Sequence, residues 1–310
     1  MGAGSVRVNK LAFDDLRLFL RVAALRNLSA VARERSVPAS QVSRSLVRIE
    51  KICGSRLIHR STHGLALTVA GEAFLNYCHQ ISGIAEEMEG EFASQSGGVS
   101  GLVRVAASSV IAENLLLPTL NELGRRYPRL RVAVDVSDQM VDLARDGIDI
   151  AIRTSTSLPD NCIARRIGCL GRALYAAPSY VVRAGMPSNP DELANHQLVT
   201  NSAATHLNRW PFIINGKHVK CLADGHWQSN DTGMAANLVL QGLGIGRLAT
   251  VAAEQWVRDG RLVPVLAEFI DDSQLPVYAV IASARQRLPK MKVCIDFWSE
   301  KIAVILPANE

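Results

Sequence analysis

The sequence predicts an α/β chain: a mainly α-helical N-terminal part, a long connecting helix and two C-terminal α/β lobes. Its 310 residues are more than one ordinary domain needs. A Gly- and Ser-containing linker at 95–101 separates helically spaced apolar residues from alternating strand and helix patterns. The predicted segments are a loose tail at 1–12, a helical domain at 13–68, a helix at 69–95, a hinge at 96–101 and the lobes at 102–306.

A helix is predicted to begin at Pro38 and to end before Gly54. Proline fixes the backbone of a first turn, Ser40 offers a capping hydroxyl, and glycine suits a C-terminal stop. Apolar and polar residues fall on opposite faces of this helix. The apolar face holds Val42, Leu46, Ile49 and Cys53, and the polar face holds Gln41, Arg44, Ser45 and Arg48. Gln and Arg can each form paired hydrogen bonds with base edges in the major groove of DNA. A solvated amphipathic helix is the alternative.

The flanking residues favour the DNA-binding interpretation. Ser29 could cap a short helix at 30–35, and Ser36 with Val37 leave a turn of the length that a helix-turn-helix requires. After the second helix, two extended segments flank 62–64, which predicts a wing. Its candidates for phosphate or minor-groove contacts are Arg56, Arg60 and His63. A hairpin that merely faces solvent is the alternative for these three residues.

Charge is concentrated at the same end of the chain. Residues 1–65 hold twelve Lys and Arg against four Asp and Glu, whereas the remaining residues hold 22 against 25. A basic module on a mildly acidic body is typical of a protein that neutralises DNA phosphates. On the second helix, the predicted DNA contacts are Ser40, Gln41, Arg44, Ser45 and Arg48.

A long helix is predicted from a cap at Thr68 to about Ser94. Apolar residues recur along it every three or four positions, which is a heptad seam of about three repeats. The seam consists of Phe74, Tyr77, Ile81, Ile84, Met88 and Phe92. It could pack against the following domain or against a second copy of the chain. A dimer would place two DNA-binding helices on the half-sites of a pseudo-palindrome, so we interpret the seam as a dimerisation surface.

After the linker, alternating strand and helix patterns predict parallel βαβ units in two lobes. Lobe I is expected at about 102–168 and 277–306, and lobe II at about 169–276. In the order of the chain, strands are expected at 102–107, 131–136, 148–152, 172–176, 198–200, 245–248 and 277–281. Helices are expected at 111–127, 140–145 and 234–243.

Polar residues cluster where these strands end and helices begin, which is where ligands bind in open α/β sheets. They are Ser108, Ser109, Asn201, Ser202, Asn230 and Thr232. Together with Arg153, and with Arg247 as a second cation, they predict a site for a small carboxylate or another anion. For each residue alone, capping or turn formation is the alternative role.

Several blocks resemble the winged helix-turn-helix of LysR-type transcriptional regulators in sequence and spacing. They lie at 27–32, 37–46, 49–50, 54–60 and 67–71. Blocks at 147–153 and 241–246 are similar to the effector domain of that family, which has two lobes like a periplasmic binding protein. Two features depart from the family pattern: the order Pro38-Ala39-Ser40-Gln41, and Arg35 at a usually apolar position.

The resemblance implies a transcription factor that a small-molecule effector controls. Its implied partners are double-stranded DNA with a pseudo-palindromic operator and a second copy of the chain, as a homodimer or homotetramer. RNA polymerase is a further implied partner. The long helix would pair the subunits, as it does in the family.

Other function classes find little support in the sequence. It contains no GxSxG elbow, Walker loop or zinc-ligand spacing, so neither catalysis nor a metal or cofactor is expected. The first ten residues lack the apolar core of a secretory signal, no apolar run has membrane-spanning length, and the six cysteines form no CxxC pair. We therefore expect a cytoplasmic protein. The alternatives are an architectural DNA-binding protein without a ligand, and a solute-binding or enzymatic cleft protein.

Overall fold

The structure is a computed structural model that describes residues 8–61, 64–94, 98–143, 146–154, 162–271, 274–282 and 288–306. These residues form two compact units that divide near Ser96. The short segment that ends at Gly147 belongs with the first unit, and the rest of the chain after Ser96 forms the second. Each unit has a hydrophobic core of its own.

The first unit is a winged helix-turn-helix followed by a long helix, as the sequence predicts. Its helices are α1 (Phe13–Leu25), α2 (Leu28–Glu34), α3 (Ala39–Cys53) and α4 (Val69–Ser94), and a 3-10 turn (Val8–Lys10) precedes them. The antiparallel strands β1 (Ile58–Ser61) and β2 (Gly64–Leu67) form the wing. The fully buried residues of its core include Phe19, Val31, Val42, Leu46 and Ile49.

Both predicted helix caps in the helix-turn-helix are wrong. Asn27 caps α2, because its side-chain oxygen accepts hydrogen bonds from the N–H groups of Ser29 at 2.9 Å and Ala30 at 3.1 Å. Helix α3 has Pro38 as its N-cap and no side-chain cap. Ser40 lies one residue inside the helix, where its hydroxyl is past the capping position. Gly54 ends α3 in the left-handed conformation (φ 67°), as predicted.

Phe74 differs from its predicted place on the exposed seam of α4, because it packs into the core of the first unit. Its ring lies edge-on to Phe19, with centroids 4.9 Å apart. Leu75 and Cys78 are buried beside it. Burial raises the pKa of the Cys78 thiol to about 12, so this cysteine is an inert core residue.

A close backbone contact joins the wing to the first turn of α4. A Cβ on Gly71 would lie 2.0 Å from the carbonyl oxygen of Leu57, so only glycine fits there. The same carbonyl accepts a hydrogen bond from the N–H of Thr68 at 3.0 Å. The Thr68 hydroxyl accepts from the N–H of Gly71 at 2.9 Å and donates to the carbonyl of Arg56 at 2.7 Å. Thr68 therefore caps α4, as predicted.

The second unit contains two five-stranded sheets and a hairpin. In chain order, its strands are β3 (Gly101–Ala107), β4 (Leu130–Val136), β5 (Ile150–Thr154), β6 (Cys162–Leu170), β7 (Arg172–Ala176), β8 (Leu198–Asn201), β9 (Arg209–Ile214), β10 (Lys217–Leu222), β11 (Trp227–Ser229), β12 (Ile245–Ala249), β13 (Val263–Val265) and β14 (Leu275–Ala282). The sheet of lobe I has the order β4-β3-β5-β14-β6, and that of lobe II has the order β11-β8-β12-β7-β13. Strands β9 and β10 form the hairpin.

Helices cover both sheets. They are α5 (Ser109–Ile111), which continues through a π-helical turn (Ala112–Leu116) into α6 (Leu117–Arg126), then α7 (Pro178–Ala184), α8 (Thr232–Leu240), α9 (Thr250–Arg258) and α10 (Pro289–Ile305). Shorter 3-10 turns occur at Pro190–Asn195, Thr205–Asn208 and Ala267–Phe269. Helix α10 packs on lobe I through the fully buried Trp298, whose indole N–H donates to the Thr119 hydroxyl at 3.2 Å.

Both sheets are mixed, whereas the sequence predicts parallel units. Strand β14 pairs antiparallel with β5 and β6, and β12 pairs antiparallel with β7. The antiparallel pairs arise from strands that cross between the lobes: β6 lies in lobe I and, after Gly171, the chain continues as β7 in lobe II. Strand β6 is not among the strands predicted from the sequence.

The helix predicted at 140–145 does not form over 140–143, and 144–145 lie outside the described residues. Tertiary hydrogen bonds fix the residues just before this segment outside a helix. Arg153 donates to the carbonyl of Gln139 at 2.8 Å, and the N–H of Ser137 donates to the carbonyl of Ala107 at 2.9 Å. Six residues are also too few to offset the cost of helix nucleation.

Among the described residues, no helix combines the length and the apolar character that crossing a membrane requires.

The Gly71 contact can be tested by substitution. We expect Gly71→Ala to lower the free energy of unfolding of the first unit by about 1–3 kcal/mol, because the added methyl group meets a backbone carbonyl that cannot move alone. Gly124→Ala in α6 is the control, since nothing lies within 4 Å of its Cβ position. It should be neutral or stabilising by about 0.5–1 kcal/mol. Urea unfolding monitored by circular dichroism measures both changes, and equal stability of the two variants would contradict the steric interpretation.

Candidate functional site

Helix α3 presents a polar face to solvent because its apolar face is fixed in the core. Val42, Leu46 and Ile49 are buried, and Cys53 is half-buried against the same core. On the outer side, the exposed residues are Ser40, Gln41, Arg44 and Arg48, and Ser45 is half-buried. The structure thus brings together the five residues that the sequence predicts to contact DNA.

Arg48 has a second contact that the sequence does not reveal. Its guanidinium forms an ion pair with the carboxylate of Asp15, which is buried at 3% exposure. The other oxygen of Asp15 accepts a hydrogen bond from the N–H of Ala12 at 3.0 Å and so caps α1. Arg48 therefore ties α3 to α1, while 55% of its side chain stays exposed.

Two further ion pairs connect α1 to α2. Arg21 donates two hydrogen bonds to the carboxylate of Glu34, at 2.5 and 2.8 Å, and this contact lowers the pKa of Glu34. Arg35 pairs with Asp14. The Arg35 pair gives the departure from the family pattern a physical explanation, because the charge that replaces an apolar residue has a partner.

The wing is held in place by Glu50 of α3. The Glu50 carboxylate accepts hydrogen bonds from the N–H groups of Leu57 at 2.8 Å and Ile58 at 3.1 Å. Arg56 is exposed at the base of the wing. His63 and the side chain of Arg60, both predicted to contact DNA, lie outside the described residues.

Helix α4 carries an exposed apolar stripe beyond the residues that pack on the core. Tyr77, Ile81, Ile84 and Met88 are 62%, 40%, 63% and 56% exposed. Their spacing of four, three and four residues places them on one face. The side chain of Phe92 lies outside the described residues.

The second unit contains a narrow cavity between its two lobes. Most of its lining comes from the ends of β7, β8 and β12 and from α8, and Val110 contributes from lobe I. The polar residues of this lining are Arg172, Thr200, Asn201, Asn208, Thr232 and Arg247. Its volume of about 30 Å³ has room for about two water molecules.

Arg172 is the most unusual group in this cavity. It is 7% exposed, and its Nε has no hydrogen-bond partner in the described part of the chain. Burial, and after it the positive charge of Arg247, lower the pKa of Arg172 to about 10, although Asp138 opposes this shift. At neutral pH the group is still charged. A buried charge without a partner is costly, so a bound anion would stabilise it.

Arg247 lines the same cavity from β12. Burial lowers its pKa, which the carboxylate of Asp271 partly opposes, and its Nε also has no partner among the described residues. Two guanidinium groups on neighbouring strands of lobe II therefore face one cavity. Neither forms an ion pair with any carboxylate in the described ranges.

The predicted effector residues are only partly assembled at this cavity. Asn201, Thr232 and Arg247 line it. Ser109 lies beside it, where its hydroxyl is 3.0 Å from that of Thr232. The remaining predicted residues lie elsewhere: Ser108 caps α5, Ser202 and Asn230 are exposed, and Arg153 donates to Gln139 and Met140.

Arg172, which was not among the residues predicted from the sequence, takes the place assigned to Arg153. A signal was present, because Arg172 opens an otherwise apolar strand, Ala173-Leu174-Tyr175-Ala176. A charged residue next to such a strand is rarely buried without a functional reason.

A larger depression of about 380 Å³ lies near the crossover between the lobes, beside Cys169, Tyr175 and Gln274. Its charged residues, Glu254 and Arg258, pair with each other at 3.2 Å. Their charges are therefore compensated by each other, unlike those of Arg172 and Arg247 in the narrow cavity.

Comparison with protein families gives two matches that together span most of the chain. Residues 13–72 match the bacterial regulatory helix-turn-helix protein of the lysR family, and residues 96–303 match the LysR substrate binding domain. Both matches agree with the two units seen in the structure. The families and relatives found are transcriptional regulators, which confirms the expectation that the chain is not an enzyme.

Individual relatives match over nearly their whole length. The probable HTH-type transcriptional regulator LtrA of Klebsiella pneumoniae is 27% identical over 300 residues, which cover 96% of this chain and 97% of that protein. The uncharacterized HTH-type transcriptional regulator YhjC of Escherichia coli K12 is 31% identical over 260 residues, or 81% and 85% of the two chains.

Solved structures show the same architecture. CrgA, a LysR-type transcriptional regulator from Neisseria meningitidis, has a TM-score of 0.63 at 26% identity and covers 94% of this chain and 99% of its own. The Vibrio cholerae virulence activator AphB has a TM-score of 0.64 at 26% identity and covers 93% and 98%. The chain therefore belongs to the LysR family of transcriptional regulators.

Proposed function

We propose that this LysR-type regulator binds a pseudo-palindromic operator as a homodimer or homotetramer, and that a small carboxylate or another anion controls it. The observation that supports the effector class is Arg172, a buried cation whose Nε has no hydrogen-bond partner among the described residues and which lies beside a second cation, Arg247. The proposed location is the cytoplasm, where the DNA of a bacterial cell lies. RNA polymerase is a further proposed partner.

The DNA-binding surface centres on the outer face of α3. Gln41 and Arg44 are exposed and are suited to bidentate contacts with adenine and guanine, and Ser40 and Ser45 complete the face. Arg48 has a double role, because it anchors α3 to Asp15 and still presents half of its side chain to solvent. Arg56, Arg60 and His63 of the wing are the proposed phosphate contacts.

Substitution of Arg44 separates base readout from charge. We expect Arg44→Ala to weaken binding to the operator by about 1–3 kcal/mol, and Arg44→Lys to lose base discrimination while retaining the salt dependence. Fluorescence anisotropy with a duplex selected from genomic fragments and with a scrambled duplex measures both. Arg17→Ala on the exposed side of α1 is the control. Unchanged discrimination in both Arg44 variants would contradict the proposed role.

The exposed stripe of α4 is the proposed dimerisation surface. Tyr77, Ile81, Ile84 and Met88 would pack against the same residues of a second copy, and burial of this apolar area would drive the association. Phe74 is excluded from this surface because it contacts Phe19 within the chain.

A charge within the stripe should dissociate the dimer. We expect Ile84→Glu to halve the mass of the particle or reduce it further, because an unpaired carboxylate would have to be buried in an apolar interface. Sedimentation velocity gives the mass. Val182→Glu is the control, since Val182 is 89% exposed on α7 and far from α4 in sequence. A variant at Ile84 that sediments like the unmodified protein would refute this interface.

The effector site requires an anion for electrostatic reasons. Two guanidinium groups have lost much of their hydration beside one cavity, and in the described part of the chain neither Nε has a hydrogen-bond partner. A carboxylate can accept hydrogen bonds from several donors at once and is matched in shape to guanidinium. The Thr232 hydroxyl and the Asn201 amide supply neutral polar groups nearby.

Arg172 should lower the thermal stability of the protein in chloride and should be required for its stabilisation by a carboxylate. We expect acetate, malonate or succinate to raise the Tm of the unmodified protein above the value in sodium chloride of equal ionic strength. Arg172→Met should abolish that response and raise the Tm in chloride, because replacing a poorly compensated buried charge by an apolar side chain is often stabilising by about 1–4 kcal/mol.

Arg165→Met controls for the loss of one positive charge, because Arg165 is half exposed and paired with Asp296 on the surface. Differential scanning calorimetry measures all three proteins. If none of the carboxylates shifts the Tm of the unmodified protein, the effector class is refuted, and a DNA-binding protein without ligand control is favoured.

A further inference from the structure

A carboxylate of lobe I already makes hydrogen bonds to the polar groups of the effector cavity. Asp138 follows β4, and its Oδ2 accepts from the Asn201 amide of lobe II at 2.7 Å. Its Oδ1 accepts from the Thr232 hydroxyl at 3.2 Å. Asn201 and Thr232 both line the cavity that holds Arg172 and Arg247. Asp138 thus occupies donors that an anionic effector would need.

The hydrogen-bond directions around Asp138 are fixed by their surroundings. The N–H of Gly233 donates to the Ser109 hydroxyl at 2.8 Å, and the Ser109 hydroxyl lies 3.0 Å from that of Thr232. Since the Thr232 proton goes to Asp138, the Ser109 proton must go to Thr232. This chain of donors ends on the Asp138 carboxylate and crosses between the lobes at each step.

The amide of Asn201 is oriented in the same sense. Its Oδ1 accepts hydrogen bonds from the N–H groups of Ala203 at 2.8 Å and Ala204 at 2.7 Å. The NH₂ group therefore points towards Asp138 without ambiguity. Two independent donors of lobe II are thus arranged to receive a carboxylate.

Asp138 also acts on Arg172 at longer range. Its negative charge raises the pKa of Arg172, against the effects of burial and Arg247. The two groups form no ion pair within 4 Å. Asp138 therefore compensates the buried cation only in part, and a closer anion would compensate it better.

We propose that Asp138 is an internal substitute for the effector: in the ligand-free chain its carboxylate holds the lobes together through Asn201 and Thr232, and an anionic effector competes with it for them. This inference rests on the proposed anion site. The hydrogen-bond geometry agrees with it, because the two oxygens of Asp138 already accept hydrogen bonds from Asn201 and Thr232. Binding of the effector is therefore coupled to loss of the hydrogen bonds that Asp138 accepts from Asn201 and Thr232.

The competition predicts that removal of the Asp138 charge improves effector binding. We expect Asp138→Asn in the full-length protein to lower the Kd for succinate by a factor of about 5 to 150, the usual range of coupling between linked groups. Isothermal titration at constant ionic strength measures the Kd. Asp135→Asn, an exposed residue of β4 with the same change in charge, should leave the Kd unchanged.

A purely structural Asp138 gives the opposite result. In that case Asp138→Asn would lower the Tm and leave the Kd equal or higher, which would overturn the proposal. If Asp138→Asn fails to fold, Asp138→Ser provides a smaller neutral side chain for the same measurement. Succinate that binds to neither the unmodified protein nor the Asp138 variants refutes the anion site itself. Binding that Arg172→Met abolishes but Asp138→Asn does not strengthen refutes only the competition.

Discussion

The cavity of the second unit holds a positive charge that nearby carboxylates compensate only in part. Arg172 and Arg247 face one small cavity, the charge of Arg247 adds to the effect of burial on Arg172, and the carboxylates that influence them are Asp138 and Asp271. In a poorly hydrated site such repulsion is costly. Proteins retain costly buried charges mainly where a ligand or a conformational switch uses them. The excess of positive charge over negative charge at the cavity therefore accounts for the polar groups that surround it and for the contacts that they make between the lobes.

The first unit manages charge in the opposite way. Three of its arginines pair with carboxylates: Arg21 with Glu34, Arg35 with Asp14 and Arg48 with the buried Asp15. These pairs align α1, α2 and α3 with one another. The exposed positive charge of α3 points to solvent, where a polyanion can approach. In the first unit, arginines are thus paired with carboxylates of neighbouring helices. At the cavity of the second unit, nearby carboxylates compensate the positive charge only in part.

Much of the fold was predictable from local patterns, and the assembly of the effector cavity was not. The stripe of Val42, Leu46 and Ile49 gave the orientation of α3 directly, because helical spacing depends only on neighbouring residues. Local patterns could not show that Phe74 would meet Phe19, or that Arg172 rather than Arg153 would face Arg247. The first contact depends on how α4 packs on α1. The second depends on which strands become neighbours in lobe II, where β12 pairs with β7. Asn27 displaced Ser29 as a cap for a more local reason, since both residues can cap a helix and only the path of the preceding turn decides between them.

The contacts of the Leu57 carbonyl limit how the wing and the long helix can move relative to each other. It touches the first turn of α4 at Gly71 and accepts a hydrogen bond from Thr68, while Glu50 grips the next part of the chain from α3. The wing, α3 and α4 are therefore held together by direct contacts at one corner of the first unit. Because Thr68 alone separates β2 from α4 in the chain, any rotation of α4 about its own axis must move the attached wing by a similar angle. In the proposed homodimer, the rotation of the two long helices would therefore set the separation of the two wings.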